Sequence, residues 1–383
     1  MKPLALLVST ATDWLGTARM PYALYKAGFE VLLLTPRNSL TEKSRFVTRI
    51  RHLPDHATAT DWVLAFAATV ETNSPALVLP GDDMAFRLLQ MLVLSPPREL
   101  SFELHLELAK LIRSSLGDPA YYRTSVDKTL LPAAAEALGV RVPSYAIVST
   151  PEEAERMLGA VDGPLVLKRG YGFAGQGVAI CSSREELQRA FSDFARADAA
   201  DLEPATGVRL LAQAYVPGRI VYYGIAAWKG LLLAGFAMDK LVVNPEPTGP
   251  ATVVRYYRAP EIRDFAERLV GGFGISGLLH LDCVSHERTG EAYLLEINRR
   301  IGPGTFRGAL VRVDMCAALR AALDGLPSPS RSDLEDGESG VMANFPQEWL
   351  RDPESHYLRD YPVDVPWEEP ELIEAMLALG HSS

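Results

Sequence analysis

The stretch of residues 278–300 constrains the fold of this chain more than any other. It consists of two apolar runs around a turn-rich centre, LLHLDCVSHERTGEAYLLEINRR, a pattern typical of a β-hairpin. Residues 288–290 suit a three-residue hairpin loop, because Gly290 can take the left-handed conformation that such a loop needs. We therefore expect Glu287 and Glu291 to close the loop.

That loop predicts which acidic residues meet across the hairpin. Asp282 would lie opposite Glu296, and Asn298 would share a face with Glu296 because strand side chains alternate. Two facing carboxylates repel each other unless a cation lies between them. Oxygen ligands of this kind suit Mg²⁺ rather than zinc. The alternative is a solvent-facing hairpin that carries ordinary acidic residues.

The composition limits the class of protein. At 383 residues the chain is long for one core, so we expect roughly two or three compact units. Its 48% hydrophobic and 22% charged residues are ordinary for a globular protein. The net charge of −10 argues against a nucleic-acid-binding surface, so an anionic nucleotide would need a local cluster of cations and backbone N–H groups. No apolar run suits a membrane span or a signal peptide.

The three cysteines are expected to be reduced core residues of a cytoplasmic protein. Cys181, Cys283 and Cys316 lie far apart in the sequence, and their spacing does not suit a metal site. The first two fall in predicted strands and the third in a predicted helix.

Residues 1–100 alternate between strand and helix patterns, which predicts a small doubly wound α/β domain. Strands are expected at 4–9, 30–35, 49–53 and 76–80, and helices at 17–27, 60–71 and 86–94. Ligands of such domains bind beyond the carboxyl ends of the strands, where residues 9–13 and 81–83 would lie. The first of these loops lacks the G-x-G-x-x-G pattern, so a dinucleotide-dependent dehydrogenase is disfavoured.

A glycine-rich loop follows a predicted strand at 165–168. Its glycines are Gly170, Gly172, Gly175 and Gly177. Glycine lets the backbone approach a ligand and turn its N–H groups inward, so the loop could cradle an anion. Lys168 would point at the same phosphates, and Phe173 would cover a bound nucleotide as a lid. The alternative is a flexible surface hairpin.

The remaining elements follow from the same patterns. Strands are expected at 145–148, 178–181, 210–213, 219–227, 231–238 and 253–257, and helices at 103–114, 183–195, 259–272 and 309–323. Another helix is expected to start at Thr150-Pro151, with Thr as its cap. Pro132 should begin or bend the helix that ends near Leu138.

The order of these motifs resembles that of ATP-grasp ligases over about residues 1–325. The matching parts are Asp127-Lys128, Lys168 with its glycine loop, a hinge at Gln213–Val216, and Asp282 followed by Glu296-x-Asn298-x-Arg300. The resemblance implies an α/β fold class with an α+β grasp core of two lobes. It implies a pre-ATP-grasp domain at 1–100, a grasp domain at 101–325 with a lid at about 143–216, and a linker and C-terminal appendage at 326–383.

The resemblance also implies a nucleotide and metal site, with ATP and two Mg²⁺ as cofactors and Mn²⁺ as an alternative ion. Lys128 and Lys168 would hold phosphates, and Asp282, Glu296 and Asn298 would hold the metal, with Glu296 bridging. The hinge residues Gln213, Ala214, Tyr215 and Val216 would read adenine, mainly through the backbone of Ala214 and Val216. Many relatives carry an acid for the ribose where this chain has Arg219, which leaves the ribose contacts in question.

The implied reaction activates a carboxylate as an acylphosphate, which an amine then attacks to form an amide. Arg300 would stabilise the transferring phosphate or the oxyanion, and His280 stands where D-alanine ligases carry an arginine. Arg255, Arg258, Thr305 and Arg307 are candidate substrate contacts. The partners would be a small-molecule acid and an amine, with no nucleic acid and no membrane. The oligomeric state is left open, with a homodimer as one option.

Other functions and plainer roles stay open at this point. A kinase-like member would phosphorylate a small molecule and stop, and a regulatory protein would bind nucleotide without turnover. Biotin carboxylase is disfavoured, because the chain ends soon after the grasp core and shows no carrier-lysine motif. Lys128 could be a surface charge, Arg300 could pair with a structural acid, and His280 could be an ordinary core residue. Arg255, Arg258 and Arg307 could be surface cations.

Overall fold

The computed structural model describes residues 2–172, 177–198, 208–246 and 249–380. The chain divides into two compact units. Unit 1 comprises residues 1–120, 220–281 and 298–383, and unit 2 comprises residues 121–219 and 282–297. Among the described residues, no helix is both long enough and apolar enough to cross a lipid bilayer.

Unit 1 begins with alternating strands and helices. These are β1 (Leu4–Val8), α1 (Leu15–Ala18), α2 (Met20–Lys26), β2 (Glu30–Thr35), a 3₁₀ turn (Leu40–Lys43), β3 (Arg49–His52), α3 (Ala59–Asn73), β4 (Leu77–Pro80), α4 (Asp83–Leu94) and α5 (Phe102–Leu116). The four strands form a parallel sheet in the order β3-β2-β1-β4. The predicted parallel α/β architecture is confirmed. The single helix expected at 17–27 is wrong, because the chain breaks at Arg19 and α2 starts again with Pro21 in its first turn.

A 3₁₀ turn (Pro119–Tyr121) then leads into the elements of unit 2. These are α6 (Leu131–Ala137), β5 (Tyr145–Val148), α7 (Pro151–Ala160), β6 (Leu165–Arg169), β7 (Val178–Cys181), α8 (Arg184–Asp198) and β8 (Leu210–Ala214). The strands form an antiparallel sheet in the order β5-β8-β6-β7. Its apolar face packs on α7 and α8 through Leu165, Leu187 and Phe191. The predicted start of α7 is confirmed, since the Thr150 hydroxyl accepts from the Glu153 N–H at 3.3 Å.

The second half of the chain builds a larger sheet. Its elements are β9 (Gly218–Trp228), β10 (Leu231–Val243), β11 (Ala251–Tyr257), α9 (Pro260–Gly272), β12 (Gly277–His286), β13 (Ala292–Asn298), a 3₁₀ turn (Thr305–Val311), α10 (Met315–Asp324) and β14 (Ser339–Ala343). The strand order is β13-β12-β9-β10-β11-β14. The helix expected at 309–323 is wrong at its start. The 3₁₀ turn ends at Val311, and Asp314 caps α10 by accepting from the Ala317 N–H at 2.9 Å.

The C-terminal residues are integrated into unit 1. β14 pairs with β11, and three helices follow, α11 (Gln347–Arg351), α12 (His356–Asp360) and α13 (Pro370–Gly380). Leu372 and Met376 of α13 pack with Ala18 and Leu40 in one buried apolar cluster. The domain boundaries predicted at 100 and 325 stay predictions.

The β12–β13 hairpin was predicted correctly, but its loop is one residue longer than expected. The His286 N–H donates to the Glu291 carbonyl at 2.9 Å, and the Gly290 N–H donates to the His286 carbonyl at 2.9 Å. His286 and Glu291 therefore close a four-residue loop, in place of the predicted pair Glu287 and Glu291. Gly290 has φ +73°, the expected left-handed conformation. The imidazole of His286 accounts for the extra residue, since it accepts from the backbone N–H groups of two loop residues.

Candidate active site

Lys128 is buried beside the glycine loop of unit 2. It precedes α6, and its backbone N–H donates to the Gly170 carbonyl at 2.9 Å. Its ammonium group donates to the Gly172 carbonyl at 2.9 Å and lies 3.1 Å from the Glu296 carboxylate. Only 9% of the Lys128 side chain is exposed. Lys128 is therefore not the surface charge that the plainer interpretation allowed.

Lys168 is a second buried cation of unit 2, near the end of β6. Burial lowers the pKa of its ammonium group to about 8. The Glu296 carboxylate opposes this shift, the Lys128 ammonium adds to it, and Asp282 opposes it more weakly. Two ammonium groups and two carboxylates therefore interact within one buried region of unit 2.

Glu296 is the acid that balances these two lysines. Burial alone would raise the pKa of its carboxyl group, but the charges of Lys128 and Lys168 outweigh burial, and hydrogen bonds to Lys128 and Asp282 add to their effect. The resulting pKa lies well below the usual range for glutamate. Glu296 is therefore ionised at neutral pH, and 29% of its side chain remains exposed.

Asp282 and Glu296 provide a donor set that fits Mg²⁺. Their side chains lie close enough to influence each other's ionisation, and carboxylate oxygens are preferred ligands of this ion. Within the ranges that the structure describes, no group of three His, Cys, Asp or Glu side chains could hold a metal ion. An ion bound here would complete its shell with an amide, phosphate oxygens or water, as Mg²⁺ commonly does. Asn298, the predicted third ligand, ends β13 within unit 1, and its part in the site stays a prediction.

The described glycines of the loop are required partly by the fold itself. Gly177 has φ +78°, and its carbonyl accepts from the Arg169 N–H at 2.9 Å where β6 turns into β7. A Cβ atom at Gly170 would lie 3.0 Å from the Asp127 carboxylate. Gly175 and the predicted lid residue Phe173 lie outside the described residues. The anion-cradling role of the loop stays a prediction.

The predicted adenine hinge lies at the end of β8. Gln213 is buried within the sheet, opposite Tyr145 and Val166 on the neighbouring strands. The Ala214 N–H donates to the Ser144 carbonyl at 2.8 Å, and the Tyr215 N–H donates to the Pro164 carbonyl at 3.0 Å. These two N–H groups are therefore used within the fold. The expected adenine contacts of Gln213–Val216 stay a prediction.

Arg300 is held within unit 1 by an acid. Its Nε donates to the Asp83 carboxylate at 2.8 Å, and its Nη1 donates to the Ile301 carbonyl at 3.2 Å. The guanidinium group also lies over the Trp14 ring, 4.9 Å from the centroid. The structural pairing that the sequence left open is therefore present. It also fixes the direction of the guanidinium group, so a catalytic role of Arg300 stays a prediction.

His280 lies in the core of unit 1 next to Tyr222, and the two ring centroids are 4.6 Å apart. The turn that follows Arg300 packs against both rings. A Cβ atom at Gly302 would lie 2.6 Å from His280 Nδ1 and still closer to the Tyr222 hydroxyl. Within the turn, the Gly302 N–H donates to the Thr305 hydroxyl at 3.2 Å. Small residues are thus necessary at this turn for steric reasons.

The arginines proposed as substrate contacts are all paired with acids of unit 1. Arg307 donates through Nε to Asp364 at 2.6 Å, Arg255 donates to Asp239, and Arg258 donates to Asp333 at 3.3 Å. The side chains of Arg307 and Asp364 are both buried. Direct contacts from Arg255, Arg307 or Thr305 to a substrate stay predictions.

No family model matches the sequence. Several solved structures are similar to the chain. Biotin carboxylase from Campylobacter jejuni, solved as a beta-gamma-ATP complex, superposes with a TM-score of 0.66 at 12% identity, covering 88% of this chain and 74% of that chain. N5-carboxyaminoimidazole synthetase from Staphylococcus aureus, solved with ADP, gives a TM-score of 0.64 at 12% identity, covering 92% and 87% of the two chains. L-amino acid ligase from Bacillus licheniformis gives a TM-score of 0.57 at 15% identity, covering 84% and 75%.

The chain has the ATP-grasp fold. At identities this low, the similarity establishes the ATP-grasp fold and leaves the reaction of this chain to its own residues. The similarity to biotin carboxylase likewise establishes the fold and not the reaction.

Sequence reasoning missed three residues that shape this ATP-grasp chain. They are Asp83, Tyr222 and Asp364, the partners of Arg300, His280 and Arg307. For Asp83 a signal existed, since Gly81-Asp82-Asp83 was expected at the carboxyl end of a strand where ligands bind. Asp82 organises that end of the sheet, because its carboxylate accepts from the N–H groups of Thr10 at 2.6 Å and Ala85 at 2.8 Å.

Proposed function

We propose that the chain is an ATP-dependent ligase that couples a carboxylate to an amine and releases ADP and phosphate. The observation that carries this proposal is the group formed by two buried lysines, Lys128 and Lys168, and two partly buried acids, Asp282 and Glu296, beside the glycine loop. The ATP-grasp fold supports it. The similar solved structures also support it, since they are named as a carboxylase, a synthetase and a ligase. Two of these three were solved with an adenine nucleotide.

The nucleotide would bind in unit 2. Lys128 and Lys168 carry flexible positive charges that suit a polyphosphate, and burial strengthens their attraction to it. The glycine loop would cover the phosphates, and the segment Gln213–Val216 would hold the adenine. Arg219 takes the place of an acid that would otherwise bind the ribose, so we expect weak ribose contacts.

Asp282, Glu296 and Asn298 would hold Mg²⁺. Strand alternation places Glu296 and Asn298 on the same side of β13, which supports their joint role. When bound, Mg²⁺ would neutralise phosphate charge during transfer. We propose two ions with Glu296 as the bridging ligand, and Mn²⁺ as an ion that can replace Mg²⁺.

The chemistry proposed has two steps. The substrate carboxylate attacks the γ-phosphorus of ATP, which forms an acylphosphate and releases ADP. The amine then attacks the acyl carbon, forming the amide and expelling phosphate. The protein would mainly position the reactants and stabilise negative charge, with Arg300 directed at the phosphate or oxyanion. His280 would be a weaker, neutral group near the same substrate. The glycine loop would exclude water from the acylphosphate.

The substrates would be a small-molecule acid and an amine in the cytoplasm, and a homodimer is the assembly we would test first. The direct test of the reaction is a phosphate-release screen with ATP, Mg²⁺ and paired amino acids or organic acids, with product masses measured for every active pair. Phosphate release that requires both an acid and an amine, together with an amide product, is the expected result.

Other outcomes of the screen would overturn this proposal. ADP formation that requires one substrate and yields a stable phosphorylated product would show a kinase. ATP binding without phosphate release in any pair would show a nucleotide-binding regulator. The Glu296→Gln variant in the same screen controls for a contaminating ATPase, since its activity should be lost.

A further inference from the structure

The turn of residues 302–305 in unit 1 packs closely against two aromatic side chains. The Thr305 N–H donates to the Gly302 carbonyl at 3.1 Å, which closes the turn. Tyr222 and His280 lie so near the Gly302 backbone that no β-carbon would fit there. A shift of the turn would therefore shift these two aromatic rings as well.

Arg307 also holds this turn. Its Nη1 donates to the Pro303 carbonyl at 2.5 Å, and its Nε donates to the Asp364 carboxylate at 2.6 Å. A planar guanidinium group with several fixed donors can serve both acceptors at once. The position of Pro303 is thus tied through Arg307 to a residue 57 positions away from Arg307.

Asp364 is itself anchored at several points. Its Oδ1 accepts from the Phe345 N–H at 2.6 Å, and its backbone carbonyl accepts from Arg19 Nη2 at 2.5 Å. Its side chain has 0% exposure. Both guanidinium groups also contact the Phe306 ring, whose centroid lies 4.4 Å from that of Arg19 and 4.7 Å from that of Arg307. Asp364 is therefore a fixed point to which the turn is attached.

We propose that Asp364 is a positioning residue that holds the 302–305 turn against Tyr222 and His280 through Arg307, and thereby sets the affinity for the acid or the amine. This inference rests on the proposed function, in which Arg300, which precedes the turn, and His280, which packs against it, act near the substrate. It assigns a role in substrate binding to the C-terminal segment, which the sequence analysis left as an appendage.

The test compares three variants of the full chain. Asp364→Asn keeps an acceptor for Phe345 but removes the charge that holds Arg307. Arg307→Lys keeps the charge beside Asp364 but cannot reach Pro303 in the same geometry. Glu348→Gln is the matched control, because Glu348 is also a buried acid of the C-terminal segment, and its carboxylate accepts hydrogen bonds from Arg351 and Ser355 of that segment.

Two measurements distinguish positioning from general loss of stability. Hydrogen exchange followed by mass spectrometry should show faster exchange of the peptide covering 300–310 in the first two variants, but not in Glu348→Gln. With an acid–amine pair from the phosphate-release screen, both variants should raise KM for one of the two substrates about tenfold. The Kd for ATP should stay within about twofold, because Lys128 and Lys168 belong to unit 2.

Three outcomes would each overturn a different part of this reasoning. Equal exchange of the 300–310 peptide in Asp364→Asn and Glu348→Gln would overturn the proposal. Faster exchange with unchanged KM values would overturn the link to substrate binding. Absence of phosphate release from the unaltered chain would remove the proposed function, and the exchange measurement would still show whether Asp364 holds the turn.

Discussion

The Lys128 ammonium and the Glu296 carboxylate lie 3.1 Å apart, although the two residues come from distant parts of the sequence. Lys128 also donates to the Gly172 carbonyl, so one cation joins the glycine loop to the acidic hairpin within unit 2. An ion pair of this kind, with one buried and one partly buried partner, is weak support for stability by itself, because desolvation offsets much of the attraction. The proposed function gives both charges a role in ligand binding.

Replacement of Glu296 by glutamine should lower substrate-dependent phosphate release by about a hundredfold or more, because the metal would lose its bridging ligand. Steady-state phosphate release measures this. Glu291→Gln is the control, since Glu291 is a partly exposed acid of the same hairpin that pairs with Arg141. Activity like that of the unaltered chain in Glu296→Gln would remove the metal assignment.

Lys168→Met should weaken binding of ATP by about tenfold or more, because a charge-assisted contact to phosphate is lost while the side-chain volume is kept. Isothermal titration calorimetry gives the dissociation constant. Lys110→Met on the exposed face of α5 tests for a general effect of charge. An unchanged ATP affinity in Lys168→Met would exclude Lys168 from the phosphate site.

Above pH 8, the protein should take up protons from solution when it binds ATP. The pKa of Lys168 is lowered to about 8 without ligand, so the ammonium group is partly deprotonated at pH 8.5. Bound phosphates favour the charged form and raise this pKa, so a proton enters as ATP binds. Calorimetry at pH 8.5 in buffers of different ionisation enthalpy should show this uptake. The uptake should disappear in Lys168→Met, and equal uptake in both proteins would show that another group titrates.

Glu348→Gln should make the free energy of unfolding less dependent on pH in the acidic range. Burial alone would raise the pKa of Glu348, but hydrogen bonds from Arg351 and Ser355 lower it to about 2. The stabilisation is therefore complete above the ordinary value of 4.5 and is lost as the pH falls towards 2. It corresponds to roughly 3 kcal/mol at neutral pH. Urea unfolding at pH 7 and pH 3 should show the difference between the two proteins shrinking at the lower pH.

Two glycines of unit 2 should respond in opposite directions to alanine. Gly177→Ala should destabilise the protein by roughly 1–2 kcal/mol, because φ is +78° and the new Cβ would lie 2.9 Å from the Arg169 side chain. Gly159→Ala should stabilise it by about 0.5–1 kcal/mol, because this helical position has no atom within 4 Å of the new Cβ. Denaturant unfolding monitored by circular dichroism measures both. Equal effects would show that backbone conformation at Gly177 is not restrictive.

The sequence predicted what depends on local pattern. The buried strands of the parallel sheet, such as Leu4–Val8, are short continuous apolar runs, whereas a helix with one buried face shows apolar residues every three or four positions. Lys168 and Glu296 could be selected from the residues, because Lys168 borders the glycine loop and Glu296 interrupts an apolar strand, whereas Lys128 was selected through the resemblance to ATP-grasp ligases. In the structure the Lys128 ammonium lies 3.1 Å from the Glu296 carboxylate.

What could not be predicted depends on partners that are remote in the sequence. Arg300 pairs with Asp83, 217 residues away, and no local pattern chooses this acid over another. The predicted length of the hairpin loop was wrong by one residue. The His286 side chain accepts hydrogen bonds from the loop backbone, which favours four loop residues over three. The Arg19 side chain likewise contacts two residues that are remote in the sequence, the Asp364 carbonyl and the Phe306 ring.

The apolar cluster formed by Ala18, Leu40, Leu372 and Met376 has a consequence for biosynthesis. A ribosome delivers Ala18 and Leu40 hundreds of residues before the helix that covers them. The apolar side chains of Ala18 and Leu40, in α1 and in the 3₁₀ turn after β2, therefore lack this cover until α13 has left the exit tunnel.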